Sequence, residues 1–299
     1  MGTCLRYQQF VIGKITMQKI AILMACHNRR DKTLTCLDAL FINTLPDDFS
    51  FKVFLVDDGS TDGTTAAVLE KYPAVSIIYG DGNLFWSGGM RLAWDVAAKQ
   101  KFDYYLWLND DTNIYPNAIE KLIDSARQTM SQSIICATVC SKISGEITYG
   151  GKLRWQERYH IPNNQLQECE IISGNCVLIP NYVYQIIGNI DEKFIHAIGD
   201  WDYGLRAVNN GIKCFVAPTI LGTCESNLSL PKWCLPATPL KERIKSLYSP
   251  LANSQPWPYF IYVSRHFGIT SGFRQLISMH LRVIFPNFWK YLKNSSSKK

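Results

Sequence analysis

The sequence predicts an α/β protein with a doubly wound, mixed β-sheet and a C-terminal helical extension. Three observations favour this class. Short apolar runs alternate with segments of helical periodicity through the first half of the chain. Between residues 134 and 180 the apolar runs become shorter and are separated by Gly, Asn and Pro, which favours antiparallel strands. Beyond Glu242 the chain has no acidic residue and interleaves aromatic residues with Lys and Arg.

The first half has the order β-α-β-α-β, which implies a mainly parallel sheet. Asp31 is the expected cap of the first helix, whose apolar residues recur at helical spacing. Ser87 is the expected start of the third helix. The predicted strands cover 19–25, 51–56, 75–79 and 102–108, and the later helices cover 64–71, 87–100 and 116–128.

The second half is expected to complete the sheet. A further helix is predicted around residues 203–208, with Asp200 or Asp202 as its cap. The first 16 residues are expected to be a disordered extension. The predicted strands of this half cover 134–139, 147–149, 171–173, 176–179 and 211–216.

Charge is distributed unevenly along the 299 residues. Residues 1–242 hold 22 basic and 25 acidic residues, whereas the last 57 residues hold nine Lys or Arg. A nucleic-acid-binding domain would be basic over its folded body, so we expect no nucleic-acid partner. The basic, aromatic-rich tail suits an anionic membrane surface, or it packs on the body with a solvated basic face. No apolar run approaches 18 residues, so no membrane-spanning helix is expected.

The ten cysteines do not form a recognisable disulfide or zinc pattern. No CxxC motif is present, and several cysteines lie within apolar runs. Buried free thiols in a reducing compartment are therefore the expected state.

Acidic pairs follow two of the predicted strands and precede a predicted helix. The pairs are Asp57–Asp58, Asp110–Asp111 and Asp200/Asp202. Ligands bind at the strand ends of open α/β sheets, and carboxylate oxygens suit Mg²⁺ or Mn²⁺. Capping of the helices that follow is the alternative use of these residues.

A glycine-rich segment, residues 80–91, follows the third predicted strand. Gly88 and Gly89 allow close approach of a ligand to the backbone, and a helix start beside Arg91 suits a diphosphate. The segment is not a dinucleotide fingerprint, because it lacks the third glycine of GxGxxG and follows the third strand instead of the first. No GxxxxGK[ST] loop is present.

Four segments together resemble the family-two glycosyltransferases of the GT-A fold. They are 24–29 at the opening strand and turn, 56–63 at the nucleotide-binding loop, 108–112 at the metal-binding DxD motif, and 199–206 at the acceptor-side motif. Segment 80–91 further resembles bacterial O-antigen and surface-polysaccharide members. Asn109 and Gly199 depart from the family pattern, which has Asp and Glu at these positions.

The resemblance implies a catalytic domain at 17–240 and a basic, aromatic-rich helical segment at 241–299. It also implies inverting transfer of a hexosyl or rhamnosyl group from a UDP- or dTDP-sugar, with Mg²⁺ or Mn²⁺ as cofactor. Asp111 would hold the metal. Asp200 would be the catalytic base with Asp202 in reserve, or Asp202 would pair with Arg206. The implied donor-binding residues are Asn28, Asp57, Asp58, Asp81, Trp86, Gly88, Gly89, Arg91, Asn109 and Asp110.

The acceptor is expected to be a saccharide, and a polyprenyl diphosphate would carry it in the membrane. Trp155, Trp201 and Arg206 are the expected acceptor-binding residues, although Trp155 could instead cover an edge strand. The expected location is cytoplasmic, on the inner face of the cell membrane, with contact through the C-terminal segment. A sugar nucleotidyltransferase is less favoured because the turn at 26–30 has no glycine. A non-catalytic sugar-nucleotide or glycan-binding module is the other alternative.

Overall fold

A computed structural model describes residues 16–226, 230–252 and 255–287. The predicted N-terminal extension, apart from Thr16, and residues 288–299 of the predicted C-terminal segment lie outside the described residues.

A central sheet confirms the predicted α/β class. Within the described residues it has ten strands, and a separate pair, β8 and β10, lies beside it. The strands are β1 Gln18–Cys26, β2 Phe49–Asp57, β3 Ser76–Tyr79, β4 Tyr104–Leu108, β5 Asn113–Ile114, β6 Ile134–Cys140, β7 Ile147–Tyr149, β8 Gly151–Lys152, β9 Gln167–Cys169, β10 Ile171–Ile172, β11 Cys176–Pro180 and β12 Cys214–Thr223. The main strand order is β3-β2-β1-β4-β11-β6-β12-β5. Strands β1 to β4 are parallel, whereas β11 runs antiparallel to β4 and β6.

Helices cover both faces of the sheet. They are α1 Arg30–Phe41, α2 Thr64–Lys71, α3 Phe85–Ala97, α4 Ala118–Gln128, α5 Asn181–Ile187, α6 Gly199–Asn209, α7 Leu240–Leu247, α8 Pro256–Phe267 and α9 Ile269–Ile284. Alternate residues of β1 point to opposite faces, as strand geometry requires. Ile20 and Ile22 join the core under α1 and α4, and Ala21 and Leu23 join the core under α3 and α6.

The predicted cap of α1 was wrong. α1 begins at Arg30, whose backbone N–H donates to Asp62 Oδ2 at 3.0 Å, and Asp31 lies exposed in the first turn. The cap comes from the loop after β2, so the sequence near α1 contains no sign of it.

The predicted start of α3 at Ser87 was also wrong, because Asp58 holds the helix start. The backbone N–H groups of Leu84 and Phe85 each donate to Asp58 Oδ2 at 2.9 Å. α3 therefore begins at Phe85, and Ser87 is buried inside its first turn.

Several other boundaries differ from the predictions. α4 begins at Ala118 instead of 116, and β12 covers Cys214–Thr223 instead of 211–216. Ile198 precedes α6 at its N-cap position, so the predicted caps Asp200 and Asp202 lie within its first turn. The short elements β5, β8, β9 and α5 were not predicted.

Helices α7 to α9 form the predicted C-terminal helical extension. α8 packs on the region of α6 through Tyr262 and Val263. α9 packs on α7 through Met279 and Val283, which share a core with Leu247. Within the described ranges, none of the helices combines the length and apolar character needed to cross a membrane.

The parallel strands bring several loops to one edge of the sheet. Cys26 and Asp57, the last residues of β1 and β2, are paired in register. β11 is antiparallel, so its first residue, Cys176, pairs with the last residue of β4, Leu108. The loops that follow β1, β2 and β4 therefore face the turn that precedes β11.

Candidate active site

A cleft of about 660 Å³ opens at this edge of the sheet. Seven predicted site residues line it: Asp58, Trp86, Asn109, Asp110, Asp111, Asp200 and Trp201. They come from the loops after β2 and β4, from α3 and from the first turn of α6. The acidic loops that are distant in sequence therefore meet in one cleft.

Asp110 and Asp111 are bridged by Arg29, which the sequence analysis did not assign to the site. Arg29 Nη1 lies 2.9 Å from Asp110 Oδ1 and 2.8 Å from Asp111 Oδ2. Asp110 is buried, whereas the Arg29 side chain is 40% exposed. Burial raises the pKa of Asp110 to about 6; the charge of Arg29 lowers this pKa and that of Asp111 raises it. The sequence feature that could have identified Arg29 as a site residue is its position in the polar turn after β1.

The same pair of carboxylates fits a divalent cation. Asp110 Oδ2 is buried and has no hydrogen-bond partner among the described residues. Asp111 Oδ1 lies 3.6 Å from Cys224 Sγ, and burial followed by the charge of Asp111 raises the pKa of this thiol to about 12. In the described part of the chain, no cluster of three or more His, Cys, Asp or Glu could hold a metal alone. Mg²⁺ commonly binds one or two carboxylates plus substrate phosphates, so the two aspartates suffice.

Asp58 organises the glycine-rich segment beside the cleft. Its Oδ1 accepts a hydrogen bond from the Gly82 N–H at 2.8 Å, and its Oδ2 accepts those from Leu84 and Phe85. The carboxylate thus joins the end of β2 to the start of α3. Because backbone donors occupy it, Asp58 shapes the loop more than it offers free acceptor oxygens.

Six predicted donor-binding residues lie outside the lining of the cleft, although the structure describes all of them: Asn28, Asp57, Asp81, Gly88, Gly89 and Arg91. Three of these bind loop backbone. Asn28 Oδ1 accepts from the Thr61 N–H at 2.7 Å, and Asp57 Oδ1 accepts from the Ser60 N–H at 2.9 Å. Asp81 Oδ1 accepts from the N–H two residues further on at 2.9 Å.

The remaining residues of this group support α3 and the loop before α6. A Cβ at Gly89 would lie 2.7 Å from Ala25 Cβ, so the glycine allows α3 to pack closely on β1. Gly88 is also buried in α3. Arg91 Nη1 donates to the carbonyl oxygens of Asp191 and Phe194 at 3.3 Å each.

Asn109, a departure from the DxD pattern, positions an aromatic ring in the cleft. Trp86 Nε1 donates to Asn109 Oδ1 at 2.6 Å. The indole packs closely against Gly174, where a Cβ would lie 2.3 Å from the ring. An amide at position 109 can accept this bond without adding a third negative charge to the Asp110–Asp111 pair.

Asp200 lies in the first turn of α6 and lines the cleft. Its Oδ2 accepts from the Gly174 N–H at 2.8 Å, and its Oδ1 accepts from the Trp201 N–H at 2.9 Å. Burial raises the pKa of Asp200 to about 6, and these backbone donors lower it. The carboxylate is therefore ionised at neutral pH and can accept a proton from a bound hydroxyl.

Asp202 lies outside the cleft lining and is buried in an ionic cluster. Its Oδ1 accepts from Arg265 Nη1 at 2.7 Å and lies 2.8 Å from His266 Nε2, and its Oδ2 accepts from Arg206 Nε at 2.8 Å. The structure therefore gives the predicted reserve base a role in attaching α8 to α6. The predicted Asp202–Arg206 pair is confirmed.

Only Trp201 of the three predicted acceptor-binding residues lines the cleft, together with Tyr159. Lys152 Nζ lies 5.5 Å from the centroid of the Trp201 ring and 5.6 Å from that of Tyr159. Trp155 is 72% exposed, outside the lining. Arg206 is committed to Asp202 and to two backbone carbonyl oxygens.

His196 is a further lining residue without an assigned role in the sequence analysis. Its ring meets that of Phe85 edge-on, with centroids 6.2 Å apart. Burial, followed by the charge of Arg29, lowers the pKa of His196, which favours a neutral imidazole in the cleft.

Comparisons with known proteins identify the fold and the family. Residues 1–349 of TarS from S. aureus match with a TM-score of 0.54 at 14% identity, covering 90% of this chain and 81% of that one. This likeness shows the fold, and it agrees with the predicted GT-A type. An N-acetylglucosaminyl-diphospho-decaprenol L-rhamnosyltransferase of Mycobacterium tuberculosis is 22% identical over 183 residues, covering 52% of this chain and 60% of the relative. An uncharacterized glycosyltransferase of Rickettsia prowazekii is 23% identical over 189 residues, covering 61% of this chain and 57% of the relative.

The chain thus spans less than two thirds of the length of these curated relatives. The sequence model described as glycosyl transferase family 2 matches residues 21–186, more than half of the chain. The matched range includes most of β1, all of β2 to β11 and three of the four predicted motif segments. The chain therefore belongs to glycosyl transferase family 2.

Proposed function

We propose that the chain is an inverting glycosyltransferase of surface-polysaccharide synthesis. It moves a hexosyl or rhamnosyl group from a UDP- or dTDP-sugar to a hydroxyl of a lipid-linked saccharide. The observation that carries this proposal is the convergence of Asp110, Asp111 and Asp200 in one cleft. Asp110 and Asp111 suit a cation and a diphosphate, and Asp200 suits an attacking hydroxyl.

Asp111 and Asp110 would hold Mg²⁺ or Mn²⁺ at the diphosphate. When bound, the cation supplies Lewis-acid stabilisation for the negative charge on the leaving nucleoside diphosphate. Asp110 Oδ2 has no hydrogen-bond partner in the part of the chain that the structure describes, and this supports the assignment because a buried carboxylate oxygen is costly without a partner.

Asp200 is the proposed general base. It takes the proton of the acceptor hydroxyl as the oxygen attacks the anomeric carbon. In the same step the bond from that carbon to the nucleoside diphosphate breaks, the diphosphate leaves, and the carbon is inverted. The backbone donors of Gly174 and Trp201 fix the carboxylate in one orientation. A base with a pKa near 6 is ionised and reasonably strong at neutral pH.

The loop held by Asp58 and the ring of Trp86 form the proposed donor side of the cleft, whereas Trp201 and Tyr159 form its acceptor side. Aromatic faces suit sugar rings, whose C–H groups are apolar. The name of the mycobacterial relative describes a polyprenyl-diphosphate-linked sugar. We propose an acceptor of the same chemical class.

Contact with the inner face of the cell membrane is proposed for the C-terminal segment, residues 241–299, with 17–240 as the catalytic domain. On α9, Phe273, Ile277 and Leu281 recur every four residues and are 53%, 58% and 44% exposed. The opposite face of α9 is already buried through Met279 and Val283. The Phe273 ring also contacts that of Phe260 on α8, with centroids 5.1 Å apart, but among the described residues the stripe is still left largely exposed, as on a helix whose second apolar face needs a partner.

The charges and the position of this surface favour a membrane as the partner. Lys241, Lys245 and Arg274 are exposed on α7 and α9, and they complement anionic lipid headgroups. Leu251, which is 61% exposed and follows α7, also lines the cleft. The C-terminal segment thus contributes an exposed apolar residue to the cleft into which a lipid-linked acceptor would reach.

The test is release of a nucleoside diphosphate by the full chain. UDP- and dTDP-sugars are supplied with Mn²⁺ and a polyprenyl-diphosphate sugar in detergent. We expect release that requires the acceptor and is lost with a chelator. Donor binding without release would indicate a sugar-nucleotide-binding module. Formation of a nucleotide sugar and pyrophosphate from a nucleoside triphosphate and a sugar phosphate would indicate a nucleotidyltransferase.

A further inference from the structure

Arg29 bridges Asp110 and Asp111 with its positive charge, as a bound cation could also do. We propose that Arg29 is the resident cation of this carboxylate pair in the free protein. It releases the two aspartates when a metal–nucleotide complex binds, and it then binds the diphosphate of that complex. This inference rests on the proposed function. It deepens that function by naming the residue that couples metal binding to donor binding.

The geometry makes Arg29 and the metal competitors. One nitrogen of the guanidinium contacts one oxygen of each aspartate, at 2.9 and 2.8 Å. A divalent ion on the same carboxylates would stand within a few ångströms of the guanidinium, where like charges repel strongly. Arg29 therefore opposes metal binding, even where the ion takes the two carboxylate oxygens that the guanidinium leaves free, Asp110 Oδ2 and Asp111 Oδ1.

Burial explains why the pair has a cation of its own. The Asp110 side chain is only 6% exposed, and it stands next to a second carboxylate. Such a pair is unfavourable without a positive partner. The Arg29 side chain is 40% exposed, so the guanidinium can leave for solvent or a ligand without becoming a buried, unpaired charge.

The released guanidinium remains beside the donor site. Arg29 lines the same cleft as Asp111 and Trp86. A planar guanidinium binds phosphate oxygens with two parallel hydrogen bonds. Arg29 would thus oppose metal binding in the free protein and favour it once a nucleoside diphosphate is present.

The experiment compares Arg29→Gln with Arg30→Gln in the full chain. Arg30 is the matched control, because it loses the same charge but pairs with Asp31 and lies outside the cleft lining. Free Mn²⁺ is measured by electron paramagnetic resonance without nucleotide, and UDP affinity is then measured by calorimetry at saturating Mn²⁺. We expect Arg29→Gln to bind Mn²⁺ at least about tenfold more tightly and UDP at least about tenfold more weakly than wild type. Arg30→Gln should match wild type.

Tighter Mn²⁺ binding together with weaker UDP binding separates this proposal from a merely structural role of Arg29, because loss of structure would weaken the binding of both ligands. Equal or weaker Mn²⁺ binding by Arg29→Gln overturns the inference. If this variant fails to fold, Arg29→Lys is used in its place. Lysine keeps the positive charge but not the planar guanidinium, so we expect unchanged Mn²⁺ binding and weaker UDP binding. Unchanged UDP binding overturns the inference. Mn²⁺-dependent UDP binding that survives in Asp111→Ala overturns the metal assignment itself, and with it this inference.

Discussion

Gly174 donates its backbone N–H to Asp200 Oδ2 at 2.8 Å, which joins the start of α6 to the turn before β11. The other carboxylate oxygen accepts one bond from the Trp201 N–H. Each carboxylate oxygen has two acceptor positions, so the backbone donors leave acceptor capacity for a substrate hydroxyl. The arrangement orients an ionised carboxylate without neutralising it.

Replacing Asp200 by Asn should abolish transfer and preserve donor binding. The amide has nearly the same shape but cannot take a proton, and loss of a general base typically costs about 10²–10⁴-fold in rate. Nucleoside diphosphate release and calorimetry with the donor measure the two properties. Asp124→Asn, an exposed change on α4, is the control and should keep the wild-type rate. Substantial turnover by Asp200→Asn would exclude Asp200 as the base.

The pKa of Asp200 predicts how transfer depends on pH. Burial places this pKa at about 6, and the base must be ionised to act. We therefore expect kcat/KM for the acceptor to fall as the pH drops below about 6, at saturating metal and donor. A profile that stays flat down to pH 5 would contradict the assignment.

The raised pKa of Asp200 also predicts how the thermal stability of Asp200→Asn, relative to wild type, depends on pH. The pKa of Asp200 in the folded protein lies above its ordinary value of 3.8, so folding favours the protonated carboxyl group. The protonated group therefore adds to the free energy of unfolding in full below pH 3.8, and this contribution is lost as the pH rises through about 6. The amide keeps only one acceptor for the two backbone donors, which lowers the stability of the variant by the same amount at every pH. The melting temperature of Asp200→Asn relative to wild type should therefore be higher at pH 8 than at pH 5, and a relative melting temperature that is the same at both pH values would contradict the raised pKa.

Removal of Asp202 should destabilise the packing of α8 on α6 and should leave sugar transfer largely intact. In Asp202→Ala, the buried His266 side chain and the partly exposed Arg206 and Arg265 lose their common acceptor. Removing one partner of a buried ion pair typically costs about 3–5 kcal/mol, and the partial exposure of both arginines places the expected loss at the lower end of that range. Denaturant unfolding should show this loss, and a double-mutant cycle with Arg265→Gln should show strong coupling. A rate loss as large as that of Asp200→Asn, in protein that remains folded, would place Asp202 in the reaction.

The sequence was informative where the signal is local. The buried strands β1, β2 and β4 are short apolar runs, and each ends in polar residues that parallel packing brings to one edge. Asp58 and Asp111 could therefore be predicted to share a cleft, and their convergence follows from strand direction. Asp200 lies in the first turn of α6, so its place in the same cleft was expected from the family resemblance and not from strand direction.

Contacts between distant segments could not be predicted in this way. Asp62 caps α1, Asp58 holds the start of α3, and Arg29 bridges the two aspartates after β4. In each case a polar side chain near a motif binds within the protein, so residue type alone does not separate a ligand-binding group from a structural one. Asp202 illustrates the point, because its partner Arg265 lies on α8, outside every recognised motif.

Membrane contact through α9 predicts that a single charge on its outer face reduces lipid binding. Ile277→Glu places a carboxylate on that face, where Ile277 is 58% exposed. The control is Ile143→Glu, which adds the same charge at an apolar residue that is 89% exposed and far from α9 in sequence. Flotation of the full chain with liposomes containing anionic lipid should recover wild type and Ile143→Glu but little Ile277→Glu.

The physical reason is that a carboxylate both opposes burial in the interface and is repelled by anionic headgroups. Wild-type recovery should also fall with neutral liposomes or high salt, because the basic residues near α9 supply part of the attraction. A second copy of the chain is the competing partner for this face. If Ile277→Glu leaves flotation unchanged but converts a concentration-dependent oligomer to a monomer in light scattering, the exposed stripe on α9 is a subunit interface and the membrane proposal is wrong.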